Sequence, residues 1–174
     1  MARAMPAHHV RSAPALALPG TLAIAGVLLG IGLGGFVDGI LLHQVLQWHH
    51  MLTATGHHSM ETVGGLETNT LWDGLFHSAT WVATAAGIGV LWHGMPLKYH
   101  PGGGRALAGL IAVGWGAFNL VEGLIDHHLL GIHHVRDDVA TKWPWDVGFL
   151  VFGALLVVGG LAMARRRGTE REIA

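Results

Sequence analysis

The sequence predicts an all-α integral membrane protein: a four-helix bundle built from two repeated transmembrane hairpins, with both termini cytoplasmic. Three observations predict it. Hydrophobic residues make up 51% of the 174-residue chain against 12% charged, a balance far from that of soluble domains. Four apolar stretches are each long enough to cross a hydrocarbon core of about 30 Å, which takes roughly 20 helical residues. Turn formers separate them: Gly56, Gly64 and Gly65, then Pro96, Pro101 and Gly102–Gly104, then Asp137, Asp138 and Pro144.

In chain order, a cytoplasmic tail over residues 1–19 leads into a four-span domain over 20–164, and residues 165–174 form a second cytoplasmic tail. The spans are Gly20–Leu46, Leu71–Met95, Arg105–Leu130 and Trp145–Ala164. The first is read as an uncleaved span, because its apolar run exceeds a signal peptide's core and no small-residue cleavage site follows it. Glycine is dense inside the spans, as in Gly30-Ile31-Gly32-Leu33-Gly34-Gly35, and small residues let membrane helices pack closely. Orientation follows the basic residues, which stay in the cytoplasm when they lie in short loops. Arg3, Arg11, Lys98, Arg105 and Arg165–Arg167 fall on one side, and only Arg136 and Lys142 fall on the other.

Composition also narrows the chemistry. A net charge of −1 carries no basic footprint for nucleic acid. The absence of cysteine excludes disulfides, thiolate metal sites and cysteine nucleophiles. The 14 histidines are the excess that needs explaining.

They fall into a repeat. Residues 36–51 and 120–135 align without a gap, so that Asp38 meets Glu122, Gly39 meets Gly123, His43 meets His127, and His49-His50 meet His133-His134. The shared pattern is acid-Gly-x3-His-x5-His-His. The second and fourth spans both open on Trp-Asp, with Asp73 and Asp146, while His77 is answered by Leu150. All of these residues lie at one end of the spans.

For straight α-helices, the rise of about 1.5 Å per residue separates His43 from His50 by about 10 Å, too far to share one ion whose bonds to nitrogen are about 2 Å. Two layers are therefore expected. A deeper one uses His43, His77 and His127 with Asp38 or Glu122. A shallower one uses His49, His50, His133 and His134 with Asp73 or Asp146. Imidazole and carboxylate donors suit a transition metal, here copper, iron or zinc.

Plainer readings stand beside these. Asp73 and Asp146 fit helix N-termini as capping acids, with Thr70-Leu71-Trp72-Asp73 in the form of a capping box. Trp48, Trp72, Trp143 and Trp145 fit an interfacial aromatic belt. His8, His9, His57, His58, His93 and His100 lie outside the repeat and fit solvated positions, and Asp126 faces Leu42 in the alignment.

The run from Gly35 to Met51, followed by Leu71-Trp72-Asp73-Gly74-Leu75-Phe76-His77, resembles a bacterial family of predicted membrane proteins known as domain of unknown function 2243. The resemblance spans the four helices and implies a bacterial inner-membrane location. The expectation that results is a multi-pass protein binding a transition metal on its extracytoplasmic side, as a redox metalloenzyme or a metal-handling factor. Its partners would be the lipid bilayer and either a membrane redox partner or a second copy of the chain. A small b-type cytochrome is the alternative: His43, His77 and His127 would supply the haem ligands, with Gly39 and Gly123 making room for the macrocycle. A proton or ion relay and a purely structural accessory subunit complete the set.

Overall fold

The computed structural model describes residues 20–56, 58–94 and 103–165. Residues 1–19 and 166–174, together with His8, His9, His57, Lys98 and His100, lie outside the described residues. Four helices are long and apolar enough to cross a membrane: Gly20–Val45, Val63–Gly94, Gly103–Leu130 and Trp143–Arg165. We number them α1 to α4. The first and third change character near their ends. α1 is α-helical over Gly20–Val37 and π-helical over Asp38–Val45, and α3 is α-helical over Gly103–Glu122 and π-helical over Gly123–Leu130.

α1 and α3 form the central pair, with α2 packed on α1 and α4 packed on α3. Among the described residues, α2 and α4 make no close backbone contact. The apolar core is small. Leu22, Ala106, Leu110 and Ala164 cluster at the end of the bundle where α1 and α3 begin and α4 ends. Elsewhere, large apolar side chains point outward, with Trp92 at 84% and Leu129 at 77% exposure, as expected where lipid tails are the solvent.

Close backbone approach holds the central pair together. A Cβ on Gly30 would run into the Ile111 carbonyl and the Trp115 amide, and one on Gly114 would run into the Val27 carbonyl. Glycine at these positions lets two backbones touch where burial from water offers no drive. Gly109 and Gly160 do the same between α3 and α4.

α2 is 32 residues long, or about 48 Å at 1.5 Å per residue, which exceeds a hydrocarbon core of about 30 Å. Its helix begins at Val63, eight residues before the apolar stretch that opens at Leu71. The extra turns carry Glu67, Thr68 and Asn69, too polar to be read as part of a span. Asn69, fully buried, binds the Leu52 amide at 2.9 Å and the His58 carbonyl at 2.9 Å. It thus pins the α1–α2 connection onto the helix.

Gly30→Val should destabilise the protein by about 1–3 kcal/mol through backbone overpacking. Gly74→Ala, with nothing within 4 Å of the added Cβ, should leave stability unchanged or raise it slightly. Thermal unfolding of the detergent-solubilised variants measures both.

Candidate metal centre

Two groups of buried ligating side chains form at one end of the bundle. Asp38, His43 and His49 make one and Glu122, His127 and His133 the other, and within each group one ligand atom per residue lies within 4.8 Å of the rest. The local reason is helical. Asp38 and His43 are five residues apart, as are Glu122 and His127, and a π-helix with its i→i+5 bonding stacks such residues on one face. His43 Nε2 comes to 3.2 Å from Asp38 Oδ2, and His127 Nε2 to 2.8 Å from Glu122 Oε1.

The chain then turns back. Gln47 at φ 51° and Gly131 at φ 60° take left-handed conformations just beyond the π-helical segments, and the His-His pairs fold inward over the ends of α1 and α3. A carboxylate from the next helix catches each return. Asp73 accepts from His43 Nδ1 at 2.9 Å, from His50 Nδ1 at 2.5 Å and from the Met51 amide at 3.0 Å. Asp146 accepts from His134 Nδ1 at 2.8 Å and from the Val135 amide at 3.0 Å, with His127 Nδ1 at 3.6 Å.

The first histidine of each pair crosses to the other half. His49 Nδ1 donates to the Val135 carbonyl at 2.9 Å, and His133 Nδ1 donates to the Met51 carbonyl at 3.2 Å. Their rings stack with centroids 4.6 Å apart and planes 2° from parallel. Four imidazoles therefore meet: His43 lies 4.4 Å from His49, and His127 lies 5.0 Å from His133, between ring centroids. Phe76 stacks on His43 and Phe149 tilts over His127, walling the cluster with aromatic surface.

This wiring fixes protons. A carbonyl or carboxylate oxygen only accepts, so the Nδ1 atoms of His43, His49 and His133 each carry a hydrogen. Burial, with the His133 and His43 rings alongside, pushes the His49 imidazole well below its ordinary range, which keeps it neutral with a lone pair on Nε2. Burial opposes charge on His133 too, but its 2.9 Å hydrogen bond to Glu122 outweighs that and raises it. Among the described residues, the Nε2 atoms of His43 and His49, both ring nitrogens of His127 and the Oε2 atom of Glu122 are buried without an aligned hydrogen bond, close as His43 and His127 come to the Asp38 and Glu122 carboxylates.

Ten of the eleven sequence-predicted site residues lie in this cluster or its supports, but not in the expected layers. His49 and His133 sit beside His43 and His127 because the helices end at Val45 and Leu130 and the chain doubles back, so the straight-helix separation does not apply. His77 stands apart. Its Nδ1 donates to the Asp73 carbonyl within α2 at 2.7 Å, and its ring packs on Phe36 and Phe76. The early start of α2 brings Asp73, rather than His77, level with His43. Asp73 lies in the third turn of α2, so the capping-box reading gives way to the anchoring role. Asp146 is in the first turn of α4 but spends its oxygens on the returning segment. Trp48 and Trp145 pack on each other at 5.2 Å, and the Arg136 guanidinium lies 5.0 Å from both ring centroids, so these two do more than line an interface.

Sequence reasoning missed the supports. Phe76 and Phe149 each lie three residues after a Trp-Asp acid, a regularity visible in the sequence. The Val135 and Met51 carbonyls carry no side-chain signal. Asp137, which binds Thr53 at 2.6 Å and Lys142 at 2.8 Å, read only as a loop residue.

The family described as predicted membrane protein, DUF2243, matches residues 25–167. No curated protein and no solved structure matches the chain.

Asp73→Ala would strand several buried donors, at about 1–3 kcal/mol each, and should lower stability by about 3 kcal/mol or more. Glu61→Ala, on the exposed connection, should stay within about 0.5 kcal/mol. Denaturant titration of the two variants in micelles compares them directly.

Proposed function

The chain belongs to the DUF2243 family of predicted membrane proteins, and on that premise we propose that it is a transition-metal protein of the bacterial inner membrane. Its two facing histidine–carboxylate groups would hold copper, iron or zinc on the extracytoplasmic side. One observation carries the reading. Among the described residues, His43, His49 and His127 have buried Nε2 atoms that make no aligned hydrogen bond, those of His43 and His127 within 3.2 Å of a carboxylate, and His43 and His49 have Nδ1 tied to oxygen. Metal-ligating histidines are held in this way, one ring nitrogen donating to oxygen and the other facing the ion. An ion about 2.1 Å from each donor separates neighbouring donors by about 3.0–3.4 Å. The carboxylate–Nε2 distances are 2.8–3.2 Å and the donors of each group lie within 4.8 Å of one another, so side-chain shifts of a few tenths of an ångström to about 1.5 Å would seat an ion.

Burial of all six donors supports a resident ion over one in transit, and so a redox metalloenzyme over a metal-handling factor. A cavity of about 520 Å³ over His49 and His50, lined also by Thr53, Glu61 and Asp137, supports access for a small polar substrate from the same end. The ion would supply electron transfer or Lewis acidity. The protein would hold the donors, fix the tautomers of His43, His49 and His133 through Asp73 and the Val135 and Met51 carbonyls, and shield the group with Phe76 and Phe149. The aligned motifs support an origin by hairpin duplication, and the basic residues beyond the opposite ends of the helices support cytoplasmic termini.

The haem alternative finds less support. Added Cβ atoms at Gly39 and Gly123 would come to 2.7 Å from His77 Nε2 and 2.9 Å from Leu150 Cδ2, so the glycines make room for neighbouring side chains rather than a macrocycle.

Metal analysis with an absorption spectrum of the detergent-purified chain tests the reading. The expected result is one or two equivalents of a transition metal and no Soret band. His43→Ala and His127→Ala should remove most of the metal, Asp73→Asn should weaken its binding about 10–100-fold, and His93→Ala should have no effect. A chain that carries no metal and takes up none on addition would return the site to the relay or structural readings.

A further inference from the structure

A second cavity, of about 330 Å³, lies between α1, α2 and α3, within the membrane-spanning stretch. Ile31, Phe76, Ala117 and Phe118 line it together with two acids, Glu122 and Asp126. Val121 and Ile125 on its wall are 57% and 42% exposed, which on a membrane-spanning helix means exposure to lipid. The cavity is therefore reached from the bilayer.

Its chemistry is unusual for a gap between helices. Glu122 turns Oε1 to His127 and His133, while the half-buried Asp126 lines the cavity and its carboxylate makes no hydrogen bond or ion pair among the described residues. An unpaired acceptor in an apolar surround calls for a hydrogen-bond donor. A donor that arrives through lipid must be uncharged and largely apolar. Two carboxylic side chains repel a phosphate headgroup, and the apolar walls disfavour a bare cation. The rings of Phe76 and Phe118, with centroids 6.0 Å apart and tilted by 36°, offer edges and faces to a flat ring. The volume falls in the range of small-ligand sites, roughly 300–1,000 Å³.

We propose that this cavity binds a lipid-soluble phenol or hydroquinone. One hydroxyl donates to Asp126, the ring lies against Phe76 and Phe118, and the alkyl tail leaves past Val121 and Ile125. The matching place beside Asp38 cannot serve equally. There Leu42 stands for Asp126 in the motif alignment, Trp115 stands for Ile31 where the same offset is carried back five residues, and the cavity shrinks to about 160 Å³. Binding is thus one per chain. The site goes beyond the metal reading, because nothing in it requires an ion.

The test is equilibrium binding of decyl-hydroquinone to the purified full-length chain in lipid nanodiscs, with its dimethyl ether as the matched ligand lacking donors. Metal content is measured on the same samples. Saturation at one ligand per chain is expected, with the ether about tenfold or more weaker, the size of a lost hydrogen bond to a carboxylate. Ala117→Phe should abolish binding without changing metal content, and Trp115→Ala should leave it intact. If Ala117→Phe fails to fold, Val121→Trp fills the same space from the lipid side. Equal binding of hydroquinone and ether, or wild-type binding by the folded filling variant, overturns the proposal. Hydroquinone binding by a chain that carries no metal upholds it while counting against the metal centre alone.

Discussion

In an α-helix, two residues five apart point about 140° away from each other around the axis. A carboxylate and a histidine at that spacing could not face the same ion. The C-terminal ends of α1 and α3 avoid the problem by widening into π-helix, where the fifth residue returns to the same face. Asp38 meets His43 and Glu122 meets His127 for that reason. The wider helix also ends early, and the chain leaves it through left-handed turns at Gln47 and Gly131. Had either segment continued as α-helix, His49 would stand about 9 Å beyond His43 along the axis, and the four-imidazole cluster would not exist.

The returning segments need an anchor, which the neighbouring helices supply. Asp73 and Asp146 each bind the second histidine of a pair and the backbone amide that follows it. With the segment ends held, the first histidine of each pair reaches across the molecule: His49 to the carbonyl of Val135, His133 to that of Met51. Neither hairpin completes its own group alone. A shift in the segment after α3 moves the hydrogen bond that orients His49, and a shift after α1 moves the one that orients His133. Buried hydrogen-bond networks behave cooperatively in this way, so the two groups are tied to a common geometry.

Much of this was legible in the sequence, and what was not has identifiable causes. The four spans follow from apolar runs of sufficient length, and the histidines and carboxylates that cluster follow from a motif that occurs twice. Their grouping did not, because the layer argument assumed uninterrupted α-helix. The clue was present: an acid and a histidine at i and i+5, repeated, is the spacing of a π-helix rather than an α-helix. His77 was misplaced by a different route. Starting α2 at the apolar Leu71 placed His77 level with His43, one turn too near the histidine end of the bundle, since the polar turns from Val63 to Thr70 are helical without being membrane-like. The crossing bonds to Met51 and Val135 involve backbone carbonyls, which no side-chain pattern announces.

The arrangement of donors bears on the plainest alternative, that these polar residues only glue helices together. Glue works by mutual satisfaction, because a polar group left unpaired in a low-dielectric interior costs about 1–3 kcal/mol and lipid offers it no water. On their Nδ1 side, His43, His49 and His133 meet that demand fully, each against a fixed oxygen. Among the described residues, the Nε2 atoms of His43 and His49, both ring nitrogens of His127 and Glu122 Oε2 make no aligned hydrogen bond, and the Nε2 atoms of His43 and His127 lie 3.2 Å and 2.8 Å from a carboxylate. A network selected only to bind helices would gain from closing those contacts, and rotating or replacing one ring would close several. Orientation satisfied on the Nδ1 side of His43 and His49 and left open on their Nε2 side is what a ligand site would require, and that division, more than the number of histidines, is what the metal proposal rests on.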